Sequence, residues 1–372
     1  MQIGVPKERK DEEHRVALTP DGVETLVSDG HDVIVEQDAG TGAGFSDQDY
    51  RDAGADIVDQ DQAWDADLGV KVKEPLEEEY DYLDDDTTLF TYFHLAADED
   101  LTDEVLDSGM TAIAYETVED DGDLPLLEPM SQVAGRMAPL MGAYHQSRPE
   151  GGKGVLPPGI DGADPGTMTV VGGGTVGRNA AEVAAGMGAD VTVLDIDQQR
   201  LDELDQELPY DIDYRESTRE AVHDEVQDSD IVVGSVLVAG AEAPTVVEEH
   251  DVEAMDDGSV IVDVAVDQGG CVETTYRATS HSDPTYEEHG VLHYTVDNMP
   301  AAYANTATEG LEDATLPYIR EIADNGWKQA MAADDGLKQG LNAADGELTY
   351  EAVADTFDLD YTEPGDLYDE LR

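Results

Sequence analysis

The 372-residue chain has a single cysteine, Cys271, two tryptophans, four phenylalanines and only 19 lysines and arginines. One cysteine excludes an internal disulfide and any zinc site built on cysteine ligands, and it suits a reducing compartment. Those 19 cations face 88 aspartates and glutamates, a formal net charge of −69 that repels nucleic acid and anionic membrane surfaces. The longest apolar run, around "IVVGSVLVAGA", is too short to span a bilayer. The opening "MQIGVPKERK" lacks the apolar core of a signal peptide, so a soluble cytoplasmic protein is expected.

What is present is a globular pattern. The acids are interleaved with regular apolar periodicity instead of forming one tail, which argues against disorder. They read as a surface adapted to molar salt, where the Debye length shrinks to roughly 3 Å and self-repulsion is screened. The length and a hydrophobic content of 40% suit about two domains. Against this acidity the basic residues are informative. Lys7, Arg9, Lys10 and Arg15 fall in the first fifteen positions, and Lys71 and Lys73 form a pair. They are either surface and ion-paired charges or an anion-binding group.

The spacing predicts an α/β fold with two Rossmann-like, parallel-sheet domains. "QIGVP", "DVIVE", "LGVKVK", "TLFTYFH" and "TAIAYE" read as strands, and "TPDGVETLVSDG" as a helix capped by Thr19 and ended by Gly30. A long helix is expected from near Ser131, then a Gly/Pro-rich loop, then a second series with strands "MTVV", "DVTVLD", "DIVVGSV", "SVIVDVAVD" and "VLHYTVD". Residues 129–300 form the second domain. Residues 1–128 form the first, and the segment 301–372, read as helical and acidic, is expected to pack back on it.

In the second series a strand runs into Gly172-Gly173-Gly174-Thr175-Val176-Gly177, then a helix, then a strand ending at Asp195. In that context Gly172 permits a tight turn, Gly174 lets the backbone approach a pyrophosphate at the helix N-terminus, and Gly177 allows close helix–strand packing. Asp195 would accept hydrogen bonds from an adenosine ribose and repel a 2′-phosphate, favouring NAD over NADP. Arg200 belongs either to the adenosine end or to the surface.

Ligands of open parallel sheets bind beyond the carboxyl ends of strands, and polar residues are expected at those ends: Lys73, His94, Asp267 and Asn298, with Arg15 just past the first strand. Arg15 offers a planar fork for a carboxylate and Lys73 a point charge. His94 suits proton transfer near neutral pH, and Asp267 can polarise a water or an amine.

The blocks "IGVPKE…HRVALTPDGV", "VKVKEP", "HLAA", "AYETV", "PLLEPMSQVAGR", "GAYH", "VVGGGTVG", "VDVAVDQGGC", "NMP" and "ATLPYI" resemble the alanine dehydrogenase family over nearly the whole chain. The resemblance implies reversible NAD-dependent oxidative deamination of L-alanine to pyruvate and ammonium. It implies an NAD domain inserted in a discontinuous substrate domain, and usually a homohexamer. By motif, Arg15 and Lys73 would bind the substrate carboxylate and His94 and Asp267 would be catalytic. Ser131, the glycine loop, Asp195, Val236, Leu237, Asn298 and Met299 would line the NAD site. The segment "GVLPPGIDGADPG" and Glu309-Gly310 depart from the family pattern. The alternative is the nucleotide-binding subunit of a transhydrogenase, which has no use for a complete amino-acid site. A catalytically dead NAD-binding regulator would be free to lose that site, and here Arg15, Lys73, His94 and Asp267 are all retained.

Overall fold

The computed structural model describes residues 1–237 and 243–367, so the end of the apolar run, from Val238, lies outside the described residues. The chain divides into two compact units, Met1–Met130 with the segment from Ala301 onward, and Ser131–Pro300. Among the described residues no helix is long and apolar enough to cross a membrane.

The first unit is built on strands β1 (Gln2–Val5), β2 (Asp32–Glu36), β3 (Asp56–Val58), β4 (Leu68–Val70), β5 (Thr88–Thr91) and β6 (Thr111–Ala114), all parallel. Helices connect several of them. The helix Pro20–Ser28 starts as its sequence dictates: the Thr19 hydroxyl accepts from the backbone of Asp21 and Gly22, Pro20 occupies the first turn, and Val23 and Leu26 are buried.

The second unit contributes β7 (Thr167–Val171), β8 (Asp190–Asp195), β9 (Asp213–Glu216), β10 (Ile231–Gly234), β11 (Val260–Asp263), β12 (Thr285–Glu288) and β13 (Val291–Tyr294), in the order β12-β13-β11-β10-β7-β8-β9. Both faces of this sheet are covered. Met168, Val170, Ile231, Val233, Val260 and Val262 enter one apolar cluster, while Val171, Val232 and Ile261 enter another. Alternate residues of one strand thus serve opposite cores, which is why these strands are apolar almost throughout.

Two departures from the sequence reading concern the sheet edges. β12 runs antiparallel to β13. The C-terminal segment is not only helical: after the helix Ala304–Asn325, strands β14 (Leu341–Ala344) and β15 (Glu347–Leu348) form a hairpin that joins β6, giving β15-β14-β6-β5-β4-β1-β2-β3. The long helix begins at Glu128, earlier than Ser131, because Pro129 fits its first turn.

Candidate functional site

Each sheet has a point where the chain reverses its direction of winding, between β1 and β4 in the first unit and between β7 and β10 in the second. Such crevices beyond the carboxyl ends of strands are where ligands of α/β folds bind. Arg15 follows β1, Lys73 follows β4 and His94 follows β5, so three residues singled out in the sequence lie beyond three adjacent strands.

The surroundings of these residues contain acids that the sequence reading missed. Arg15 is only 2% exposed, and its guanidinium donates to both carboxylate oxygens of Glu13, through Nε at 2.8 Å and Nη2 at 2.5 Å, with Nη1 2.9 Å from the Met130 sulfur. Burial would lower its pKa, but the charge of Glu13 outweighs that and raises it, so the fork stays charged. Lys73 lies 3.5 Å from Glu74. Burial opposes ionisation of Glu74, yet Lys73 and Lys10 hold its carboxyl down at about 2.

Lys71 is fully buried between Glu8 at 3.3 Å and Glu79 at 3.0 Å, and Glu8 also accepts the backbone N–H of Val72 at 2.6 Å. The pair Lys71 and Lys73 therefore splits: the first residue is a fully buried structural brace, and the second pairs with Glu74 alongside Lys10. Each of Arg9, Lys10, Arg15, Lys71 and Lys73 has an acidic partner. The signal was present in the interleaved acids "EEHR" and "VKEP".

His94 lies three residues past the end of β5 instead of ending the strand, in the left-handed region at φ 52°. A non-glycine residue there costs on the order of 1 kcal/mol and is held by its surroundings. Here Glu116 holds it, accepting the His94 N–H at 2.5 Å and the Phe93 N–H at 3.2 Å. The imidazole stacks on Tyr92 with ring planes 6° apart, and its Nδ1 lies 3.8 Å from Glu116. One edge is open, with 43% of the side chain exposed. The protein around the ring pulls its pKa below the ordinary value, with Glu116 opposing, so the neutral imidazole is favoured near neutral pH.

A cavity of about 630 Å³ elsewhere in this unit is lined by Asp21, Asp49, Glu309, Glu312 and Asp313 with Arg320. Its acidity makes it a poor receptor for a carboxylate.

In the second unit the glycine loop has the geometry of a phosphate cradle. Gly172 follows β7 at φ 102°, and a Cβ on Gly177 would stand 1.8 Å from the Gly172 carbonyl, so helix and loop touch. Gly174 differs: it caps the helix Thr175–Met187, and among the described residues no atom beyond its chain neighbours lies within 4 Å of where its Cβ would be. Thr175 is exposed beside it, whereas Val176 is buried and offers the opening only its backbone. Asp195 accepts the N–H of Gly173 at 2.6 Å and of Asp197 at 2.8 Å, leaving further lone pairs on both oxygens. Arg200 donates through Nε to the Gly173 carbonyl at 2.8 Å, so it braces the loop.

Ser131 is half-buried, one helical turn before Gly135, whose Cβ position lies 2.3 Å from the Val176 carbonyl. Val236 and Leu237 follow β10, with Leu237 40% exposed. Asn298 adopts φ 55° and Met299 is buried at the start of the turn Met299–Tyr303.

Asp267 needs a correction. The strand that the sequence carries to Asp267 ends at Asp263, and Asp267 lies exposed in the single turn Val266–Gln268. The buried carboxylate is Asp263, which accepts the N–H groups of Ala265 at 3.0 Å and Val272 at 3.1 Å and the Cys271 thiol at 3.6 Å. By capturing the donors just past the strand it pulls the backbone into a turn. Burial pushes its pKa up and that of the Cys271 thiol well up, making Cys271 a packed, unreactive side chain.

Comparison with known proteins bears on what this arrangement serves. Residues 4–134 match the family profile "Alanine dehydrogenase/PNT, N-terminal domain", and residues 138–351 match "Alanine dehydrogenase/PNT, C-terminal domain". The chain is 52% identical to the alanine dehydrogenase of Halomonas elongata over 99% of its own length and 100% of that protein. It is 51% identical to that of Bacillus subtilis, over 97% of this chain and 96% of that one. A solved L-alanine dehydrogenase superposes with a TM-score of 0.93 at 49% identity, covering 96% of this chain and 99% of the other. A transhydrogenase from Sinorhizobium meliloti superposes at 0.80 with 23% identity, over 95% of this chain and 100% of that one, a likeness of fold.

Proposed function

The chain belongs to the alanine dehydrogenase/PNT family, and from that premise we propose that it catalyses the reversible, NAD-dependent oxidative deamination of L-alanine to pyruvate and ammonium. The observation that carries the reading is the trio Arg15, Lys73 and His94 beyond three adjacent strands at the winding reversal of the first unit. Transfer of hydride between two nucleotides has no need of that group.

A bound NAD would supply the acceptor for the hydride that leaves the substrate Cα. The open position at Gly174 and the N-terminus of the helix Thr175–Met187 fit its pyrophosphate, and Asp195 fits its adenosine ribose. Ser131, Val236, Leu237, Asn298 and Met299 would complete its lining. Arg15 and Lys73 bind the substrate carboxylate, the first with its planar fork and the second as a point charge. Neutral His94 accepts a proton as water adds to the oxidised carbon, and returns it as ammonium leaves. Asp267, exposed on its turn, orients that water. Neither step needs a covalent nucleophile. The protein acts as a homo-oligomer, a hexamer by family resemblance, in a high-salt cytoplasm.

The test is NADH formation from L-alanine and NAD in molar KCl, and NADH consumption with pyruvate and ammonium. Turnover both ways is expected, with none when NADP replaces NAD. His94→Ala should keep NADH binding and lose about 10²–10⁴ in turnover. Tight NADH binding without alanine turnover would overturn the proposal in favour of hydride exchange between nucleotides.

A further inference from the structure

Two of the nine histidines converge on one buried carboxylate in the second unit. His223 lies on the helix Arg219–Gln227, and His250 and Asp251 lie on the short helix Glu249–Val252. Asp251 is fully buried, and its Oδ2 is committed, accepting from the Arg219 guanidinium and from the Glu248 N–H at 2.8 Å. Its Oδ1 is turned to the imidazoles, 2.8 Å from His223 Nδ1 and 3.3 Å from His250 Nε2. The three donor atoms lie within 4.8 Å of one another, against the about 3.4 Å that ligands 2.0–2.1 Å from a tetrahedral ion require.

Ordinary hydrogen bonding explains two imidazoles around one oxygen. It does not require the outward partner of His250. The Nδ1 of that ring lies 3.2 Å from Glu248 Oε2, so the ring presents Nε2 inward while a carboxylate fixes its orientation from behind. That carboxylate–histidine relay is what orients metal-bound imidazoles. Arg219 plays the same part for Asp251, leaving a single oxygen to coordinate.

From these contacts we infer that His223 Nδ1, His250 Nε2 and Asp251 Oδ1 form a binding site for a Zn²⁺-class divalent ion, with water as the fourth ligand. Two nitrogens and one oxygen select zinc, cobalt or nickel over magnesium and calcium, which take all-oxygen shells. The histidines are 37% and 55% exposed, so the ion enters from solvent. Bound there, it ties the helix Arg219–Gln227 to the helix Glu249–Val252.

The test is titration of the full-length protein in molar KCl with Co²⁺, whose visible absorption reports coordination by nitrogen. One Co²⁺ per chain is expected, displaced by Zn²⁺. His223→Gln and His250→Gln, both at accessible positions, should each weaken binding at least about tenfold, and Glu248→Gln about tenfold through the lost relay. Zn²⁺ should raise the Tm of the parent protein and leave that of His223→Gln unmoved. Absence of saturable Co²⁺ binding would overturn the inference. So would binding that survives both histidine substitutions, or binding lost on His289→Gln, which belongs to a separate exposed group with Glu249 and Glu253.

Discussion

At the scale of single residues, two glycines three apart in sequence do different work, and a methyl group tells them apart. Among the described residues Gly174→Ala meets no atom beyond its chain neighbours, whereas Gly177→Ala drives a Cβ into the Gly172 carbonyl. The first variant should keep its Tm and bind NADH at least about tenfold more weakly, because the methyl occupies space that a phosphate needs. The second should lose stability by about 1–3 kcal/mol, with binding falling as a consequence. Thermal melting with NADH titration separates the two, and a Gly174→Ala protein that binds normally would remove the phosphate from that position. The glycine types and spacing were legible in the sequence, because backbone approach leaves only glycine possible. The partners of Arg15 were not: an acid two residues away at Glu13 is one of 88 until the fold turns it inward.

At the scale of elements, the strands end sooner than their apolar runs suggest. β4 stops at Val70, although the Tyr92 N–H still reaches the Val72 carbonyl at 3.3 Å, and β11 stops where Asp263 captures the donors that follow. Periodicity reports burial, and burial continues past the ladder. The C-terminal hairpin was legible and overlooked: Asp345-Gly346 supplies two positive φ angles, 55° and 80°, between short apolar runs. β13 carries its own pH response. His293 is buried in that strand, stacked on Tyr286, with Nε2 2.7 Å from the Thr274 hydroxyl, and burial depresses its pKa from 6.5 to about 4. Between those values the unfolded chain binds the proton that the fold excludes. Stability is therefore whole above pH 6.5, declines as pH falls toward 4 by about 3 kcal/mol, and changes no further from this group below that. Urea titrations across this window should show the slope, and His293→Gln should flatten it.

At the scale of the molecule, the charge of −69 dominates. In dilute buffer the Debye length grows to roughly 30 Å and the whole surface repels itself; in molar salt it is about 3 Å. Tm should rise steeply with KCl and respond little to sucrose, and full stability in dilute buffer would refute the proposed salt adaptation. The topology adds a matter of timing. Ala112 of β6 pairs with Ala343 of β14, so the first sheet waits for the second unit to be synthesised before its last strands exist. At about 5–20 residues per second that wait is on the order of ten to fifty seconds on the ribosome. Through it β6 is an open edge of the kind that recruits other chains. The same excess of acid, on the proposed salt adaptation a burden to the finished protein at low salt, would keep neighbouring nascent chains apart while that edge is bare.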